Sequence, residues 1–290
     1  MTARASYVIR AGSGSPIVTP GNGSSLELLH FDILHLEPGE EQSLDLPGFE
    51  LHVVPFSGTI DVLVDGQEYL GVGGRSSVFD GPGDSVYGGA RHPIRLRARS
   101  MAEVAIAGGR TDQVFAPFRV RPEEVLCVEI GSSDTKSKRR LCHLLGQNGA
   151  GRAGNLLVSE LYAEEGCWSG YPPHKHDSDE VDSRDGQDDR TVETNHEELY
   201  HFRYRPETGF GAQFLYQEGD EPLVEMVRHG DSFAVPRGYH PTVTSPGHDE
   251  YIFTVLVGRS RRGLVQNFEP RHEHLVARIP GIAGMRKAFE

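Results

Sequence analysis

The sequence predicts an all-β protein built as two related barrels, and three observations carry that reading. Short runs rich in β-branched and aromatic residues recur along all 290 residues, separated by Gly, Pro and Asp turn signals. Glycine and proline, 35 and 18 residues, make about 18% of the chain, against an average of about 12%. The stretches "VFDGPGDSVYGGARHPI" and "VRHGDSFAVPRGYHPTV" also share one plan: a Gly-Asp turn, a short strand, a glycine-containing loop and a histidine. They read as a diverged internal repeat, which divides the chain into two domains, 1–125 and 126–290.

Taken in order, the opening "MTARASYVIRAGSGSP" lacks the apolar core of a signal peptide, and no later stretch is long enough to span a membrane. A cytoplasmic, reduced chain is the expectation. "FDILHLEPGE", "LDLPGFELHVVPFSGTIDVLVDGQEYLGVGG" and "SSVFDGPGDSVYGGARHPIRLRARSMAEVAIAGG" supply the strands of the first half. Within them "TIDVLVDG" and "PIRLRARS" alternate apolar and polar residues, as half-buried strands do. "VDGQ" and "DGPGD" are hairpin turns. "SKRRLCHLLG" is the best short helix candidate, with a strand as the alternative. Three cysteines are an odd number without CxxC spacing. Cys127 and Cys142, both in apolar runs, read as small buried side chains rather than ligands or nucleophiles.

The second half repeats the plan. "GNLLVSELYAEEGCWSGYPPHKHD" gives strand, turn and strand; "EELYHFRYRP", "GFGAQFLYQEGD", "LVEMVRHGDSFAVPRGYHP" and "DEYIFTVLVG" give four more strand regions. One stretch departs from the pattern. Asp177 to Glu198, "DSDEVDSRDGQDDRTVETNHEE", is strongly acidic with almost no apolar residues, so it reads as a flexible, solvated hairpin loop. Its aspartates lack the glycine and terminal glutamate of a calcium loop. The formal charge of −13 argues against nucleic acid and against anionic membranes as partners.

The chemistry concentrates in "PPHKHD". On a strand, positions i and i+2 share a face, so His174 and His176 would point into one space; the alternative is a polar surface turn. After the acidic insertion, "EELYHFRY" puts Glu198, Tyr200, Phe202 and Tyr204 on one strand face, and "PRGYHP" delivers His240. Three imidazoles and a carboxylate suit one borderline divalent ion and leave it open positions. Zinc is the first expectation, and the same ligands accept manganese, iron, nickel and cobalt. Other histidines are weaker candidates. His92 has no HxH before it, His272 and His274 lack a glutamate and a third histidine, and His196 sits in the loop. Lys175 is expected on the opposite face to its neighbours.

The order HxH, glutamate, PxG and histidine resembles the cupin pattern, a small jelly-roll barrel with metal inside. More narrowly, "WSGYPPHKHD", "EELYHFRY", "GFGAQFLY" and "VPRGYHPTVTSPGHDEYIFTVLVG" resemble the 5-deoxy-glucuronate isomerase family, bicupins of myo-inositol catabolism related to the deoxy-hexosulose-uronate ketol-isomerases. "LEPGEEQSLDLPGFELHVVPFSGTIDVLVDG" and "SSVFDGPGDSVYGGA" extend the likeness into the first half. Thr254 stands where such cupins often carry asparagine, and the tail after Asn267 departs from the family ending. The resemblance implies a bicupin whose first barrel, 1–125, lacks metal and whose second, 126–290, holds it. It implies an aldose–ketose isomerase of a deoxy-uronate, with a small sugar acid as partner and a homo-oligomer compatible. Tyr200 and Gln213 are the candidates for catalytic groups facing the metal, and Arg237 for the substrate carboxylate. A cupin dioxygenase and a non-catalytic sugar-acid-binding cupin are the alternatives.

Overall fold

The computed structural model describes residues 7–183 and 189–289. Each half forms two facing antiparallel sheets. In the first, a five-stranded sheet runs in the order Phe118–Val120, Ser85–Gly88, Phe49–Ser57, Ala102–Arg110, Leu29–Leu36. It covers a four-stranded sheet ordered Glu41–Leu44, Ile94–Ala98, Thr59–Val64, Gln67–Gly73. The two strands whose sequences alternate do bury alternate side chains: Ile60, Val62 and Val64, then Ile94, Leu96 and Ala98, enter the core shared with Leu51, Val53, Val104 and Ile106.

In the second barrel the larger sheet has seven strands, the first of them contributed by the N-terminal end of the chain: Val8–Ile9, Ser232–Val235, His196–Arg205, Asp249–Gly258, Leu156–Ala163, Arg139–Leu145 and Leu126–Ile130. It faces a four-stranded sheet of Trp168–Ser169, Thr242–Thr244, Phe210–Leu215 and Leu223–Arg228. The large sheets of the two halves pack on each other. Phe31, Phe56, Ala105 and Ala107 meet Val158, Leu199, Phe253 and Val255 in one core, with the Phe56 and Phe253 rings edge to face at 5.1 Å. This two-sided burial explains why "DEYIFTVLVG" is apolar almost throughout instead of alternating. The architecture is the pair of barrels that the strand pattern and repeat predict, and the bicupin that the resemblance implies.

Buried polar groups cross the seam between the barrels. Arg75 donates to Glu160 at 2.6 Å; Glu160 also accepts from the Tyr251 hydroxyl at 2.8 Å and from Gly83 N at 2.9 Å. Glu50 accepts from the Tyr87 hydroxyl at 2.6 Å and from the backbone of Gly154 and Leu156 at 2.6 and 2.9 Å. No alternation rule reveals these pairings, because each partner lies far off in sequence.

Three sequence expectations need correction. "SKRRLCHLLG" forms the strand Arg139–Leu145, which sheet pairing on both edges stabilises against its helical propensity. Cys127 and Cys142 stand opposite each other on adjacent strands and form a disulfide. Strand register, invisible in a spacing of 15, brings them together, so the reduced state expected of all three cysteines holds for buried Cys167 alone. The acidic insertion, lastly, is anchored at its root. Glu180–Asp182 pairs with Arg190–Glu193 as a two-stranded ribbon, and Glu193 and Thr194 are fully buried. Residues 184–188, at the tip of the expected loop, lie outside the described residues.

A C-terminal segment completes the second barrel. Leu264, Ile279, Ile282 and Met285 pack on Ile130, Leu141, Leu157 and Leu256, with the helix Ile282–Phe289 last. His272 and His274 fall in a 3-10 turn, Pro270–Leu275, so they share no strand face.

Candidate metal centre and cavity

The ligand histidines arrive on three short structures. His174 and Lys175 form a two-residue strand against Asn267–Phe268, and His176 follows it. Period-two geometry separates the side chains: both histidines turn inward while Lys175 turns out, where its ammonium binds Asp177 at 3.0 Å and Glu193 at 2.6 Å. Glu198, Tyr200, Phe202 and Tyr204 line the inner face of His196–Arg205, as their spacing predicts. His240 comes from the turn after Val235. Gly238 there has φ +92°, and a Cβ on it would stand 2.6 Å from Tyr216 O, so only glycine fits this turn.

The three imidazoles are buried, and their ligating nitrogens lie within 4.8 Å of one another. Each Nδ1 faces a backbone carbonyl: Pro172 O at 3.2 Å for His174, His196 O at 3.0 Å for His176, Gly238 O at 2.7 Å for His240. A carbonyl only accepts, so each Nδ1 carries a proton and Nε2 is the nitrogen left to face the cluster. Glu198 Oε2 stands 3.1 Å from Nε2 of both His176 and His240. Two ring nitrogens this close to a buried carboxylate need a positive charge among them, a proton or a metal ion. His240 Nε2 has no hydrogen-bond partner among the described residues. The donor set, the fixed tautomers and this orphaned nitrogen together fit a divalent cation held by His174, His176, His240 and Glu198. Burial opposes ionisation of Glu198, but its two histidine neighbours hold it below the usual carboxylate range. Burial and the other two imidazoles push His174 well down.

Beside this cluster lies a cavity whose non-atom space is about 610 Å³, part of it open to solvent. His174, His176, Glu198, Tyr200 and Thr254 line it together with apolar Leu161, Ile252 and Leu256. The C-terminal segment closes it with Gln266, Phe268, Ile282 and Met285.

The remaining sequence candidates separate. Tyr200 faces the cavity, 6.0 Å ring to ring from His240. Gln213 is buried behind the site, not in the cavity lining, and donates its amide hydrogens to the carbonyls of Phe214 and His240 at 2.9 Å. Arg237 is exposed and lines a separate surface groove with Tyr7, Tyr216 and Asp220. His196 turns from the cluster and donates to Arg262 O at 3.1 Å. Sequence reasoning missed two cavity residues. Arg139 could have been flagged as a charge sharing strand parity with the apolar Leu141. Gln266, whose amide donates to His174 Nε2 at 2.9 Å, lies in an irregular tail that offers no such signal.

Fold and site together define a two-barrel cupin with a buried histidine triad able to hold a metal ion. The chain belongs to the KduI/IolB family, whose model matches residues 7–275. It is 32% identical to the 5-deoxy-glucuronate isomerase of Lacticaseibacillus casei, covering 90% of this chain and 93% of that protein. The Bacillus subtilis (strain 168) protein of the same name is 31% identical over 90% and 92%. Among solved structures, an IolB-like protein from Salmonella typhimurium LT2 superposes with a TM-score of 0.82 at 28% identity, over 93% of this chain and 99% of that one. A variant of the oxalate decarboxylase of Bacillus subtilis, 13% identical with a TM-score of 0.57 over 83% and 71%, shares the fold alone.

Proposed function

We propose that the protein is a metal-dependent aldose–ketose isomerase of a deoxy-uronate, converting 5-deoxy-glucuronate to 5-dehydro-2-deoxy-gluconate in inositol breakdown. The observation that carries the metal reading is the cluster of three buried histidines within 4.8 Å, two of whose Nε2 atoms stand 3.1 Å from Glu198, with every Nδ1 tied to a backbone carbonyl. The named isomerases at 31–32% identity over nine-tenths of the chain support the substrate.

The reaction moves one proton between adjacent carbons and one between their oxygens. His174, His176, Glu198 and His240 would hold one divalent ion, zinc first and manganese, iron, nickel or cobalt otherwise. Bound there, the ion would polarise the carbonyl and the neighbouring hydroxyl and so acidify the carbon-bound proton. Tyr200 stays a neutral phenol, because burial and the adjacent Glu198 push it well above its ordinary value. Its O–H, hydrogen-bonded to Glu198, is therefore a donor rather than a base. Leu161, Ile252 and Leu256 keep bulk water from the reacting carbons. Gln213, through its bond to His240 O, positions the third ligand. The same reading gives residues 1–125 to a barrel without metal and 126–290 to the barrel with it; His174, His176 and His240 support the second assignment.

The test is to incubate metal-replete protein with 5-deoxy-glucuronate in deuterated water and follow the sugar by NMR. The ketose should form without oxygen uptake, and stripping the metal should stop it. Oxygen consumption in step with turnover would point to a dioxygenase, and no conversion would reject this substrate.

A further inference from the structure

Arg139 is the one cationic side chain among the residues described as lining the cavity. It is 3% exposed, and all its hydrogen bonds go to neutral carbonyls: Ser137 O at 2.8 Å and Trp168 O at 3.4 Å from Nη1, Tyr171 O at 2.6 Å from Nη2. A guanidinium has five N–H donors. Nε–H and one hydrogen of Nη2 therefore have no acceptor among the described residues.

It makes no ion pair among the described residues, unlike three of the other well-covered arginines: Arg75 is paired with Glu160, Arg119 with Asp84 and Arg203 with Glu103. Arg262 bonds four carbonyls, and Glu50 is near enough to raise its pKa. Burial pulls the Arg139 guanidinium down to about 10, and no Asp or Glu is among the groups that oppose this. The fold thus holds a cation in a cavity, oriented by three carbonyls, with no anion of its own.

We infer that Arg139 is the anchor for the substrate's carboxylate, which pairs with the guanidinium edge left without acceptors. The inference rests on the deoxy-uronate reading and deepens it, since a uronate brings both a hydroxy-carbonyl end and a carboxylate end. Arg139 lines the same cavity as His174, His176 and Glu198, so one small sugar acid can meet both. Arg139 replaces Arg237, which is exposed in a different groove. Two charge-assisted hydrogen bonds from a planar fork also explain why an arginine, not a lysine, occupies this place.

The experiment compares metal-replete wild type, Arg139→Gln and Arg139→Lys on 5-deoxy-glucuronate and on its neutral counterpart, the 5-deoxyhexose with a hydroxymethyl group for the carboxylate. Arg139→Gln should lower kcat/KM for the acid by about 10- to 100-fold while the neutral sugar changes only a few-fold, so the preference for the acid collapses. Arg139→Lys, which keeps the charge and loses the fork, should fall between, and it carries the test if the glutamine variant does not fold. An arginine that merely braces Ser137, Trp168 and Tyr171 would lower both substrates in parallel, and an unchanged acid-to-neutral ratio would overturn the proposal. Calorimetric titration with glucuronate, against glucose as control, separates the two readings. Wild type that binds glucuronate through Arg139 yet leaves 5-deoxy-glucuronate unchanged keeps the anchor and rejects the isomerase. Turnover with undiminished discrimination in the variants does the reverse, and neither turnover nor glucuronate binding rejects both.

Discussion

A histidine whose Nδ1 is bound to a main-chain carbonyl cannot rotate its lone pair away from its target. That is the state of His174, His176 and His240. Alanine at His174 or His176 should cut bound metal at least ten-fold by elemental analysis, since each removes one ligand from a preset group. The fold should survive, because the large cores lie elsewhere. Glu250 makes a separate prediction. Buried on the inner face, it accepts from the Tyr204 hydroxyl at 2.8 Å, and burial raises it from 4.5 to about 7. Between those values the unfolded chain releases a proton that the folded chain keeps, so this group's contribution to stability falls as pH rises across that window. The full loss is about 3 kcal/mol. Denaturant titrations at pH 4.5 and 7.5 should show a shallower decline for Glu250→Gln than for wild type. The three histidines were legible because HxH and PxG-x-H are local patterns. Arg139 was not, because its role depends on which anions are absent around it, and no spacing encodes an absence.

At the scale of elements, the acidic insertion joins two ligands and is fixed where it meets them. Glu193 accepts from Lys175 Nζ at 2.6 Å, Asp177 N at 2.7 Å, Asn267 Nδ2 at 2.9 Å and Ser178 N at 3.0 Å. Replacing it with alanine leaves the Lys175 ammonium with Asp177 alone and strands three further donors. We expect a loss of about 3 kcal/mol in denaturant melts, with weaker metal retention because Lys175 lies between His174 and His176. The strand face of Glu198 and Tyr200 was readable from alternation. The root of the insertion was not: its composition speaks for solvent, whereas its order comes from Gly238 and Ser260, distant residues bonded to Asp177 and Asp179 at 2.7 and 2.8 Å.

At the scale of the whole molecule, the barrels depend on each other. Glu160 and Glu50 are fully buried, and each binds donors from the opposite half. Arg75→Met leaves Glu160 without its cation and should cost about 3–5 kcal/mol, measured by thermal or urea unfolding. Residues 126–290 expressed alone should be insoluble or bind hydrophobic dyes, because Val158, Leu199, Phe253 and Val255 lose their cover. The internal repeat revealed two barrels, and the continuous apolar run in the last long strand signalled burial on both faces. Which sheets would meet, and through which buried acids, was beyond any local pattern, since these contacts join residues about 80–100 positions apart.

The root of the insertion also insulates. His196 N donates to His176 O at 2.8 Å, and Asn195 N to Asp179 at 3.0 Å, so the spacing of His176 and Glu198 is set before the chain departs along the ribbon. A change in length between Asp182 and Arg190 therefore meets a fixed root before it reaches the ligands. Doubling the length of that connection costs about 0.6 kcal/mol in loop closure, felt at the tip and not at the site. For protein engineering this marks a grafting point, where an epitope or a fluorescent reporter can ride close to a catalytic centre without detuning it. For divergence among relatives, it marks a position where insertions can accumulate neutrally, ready to be recruited for a new contact.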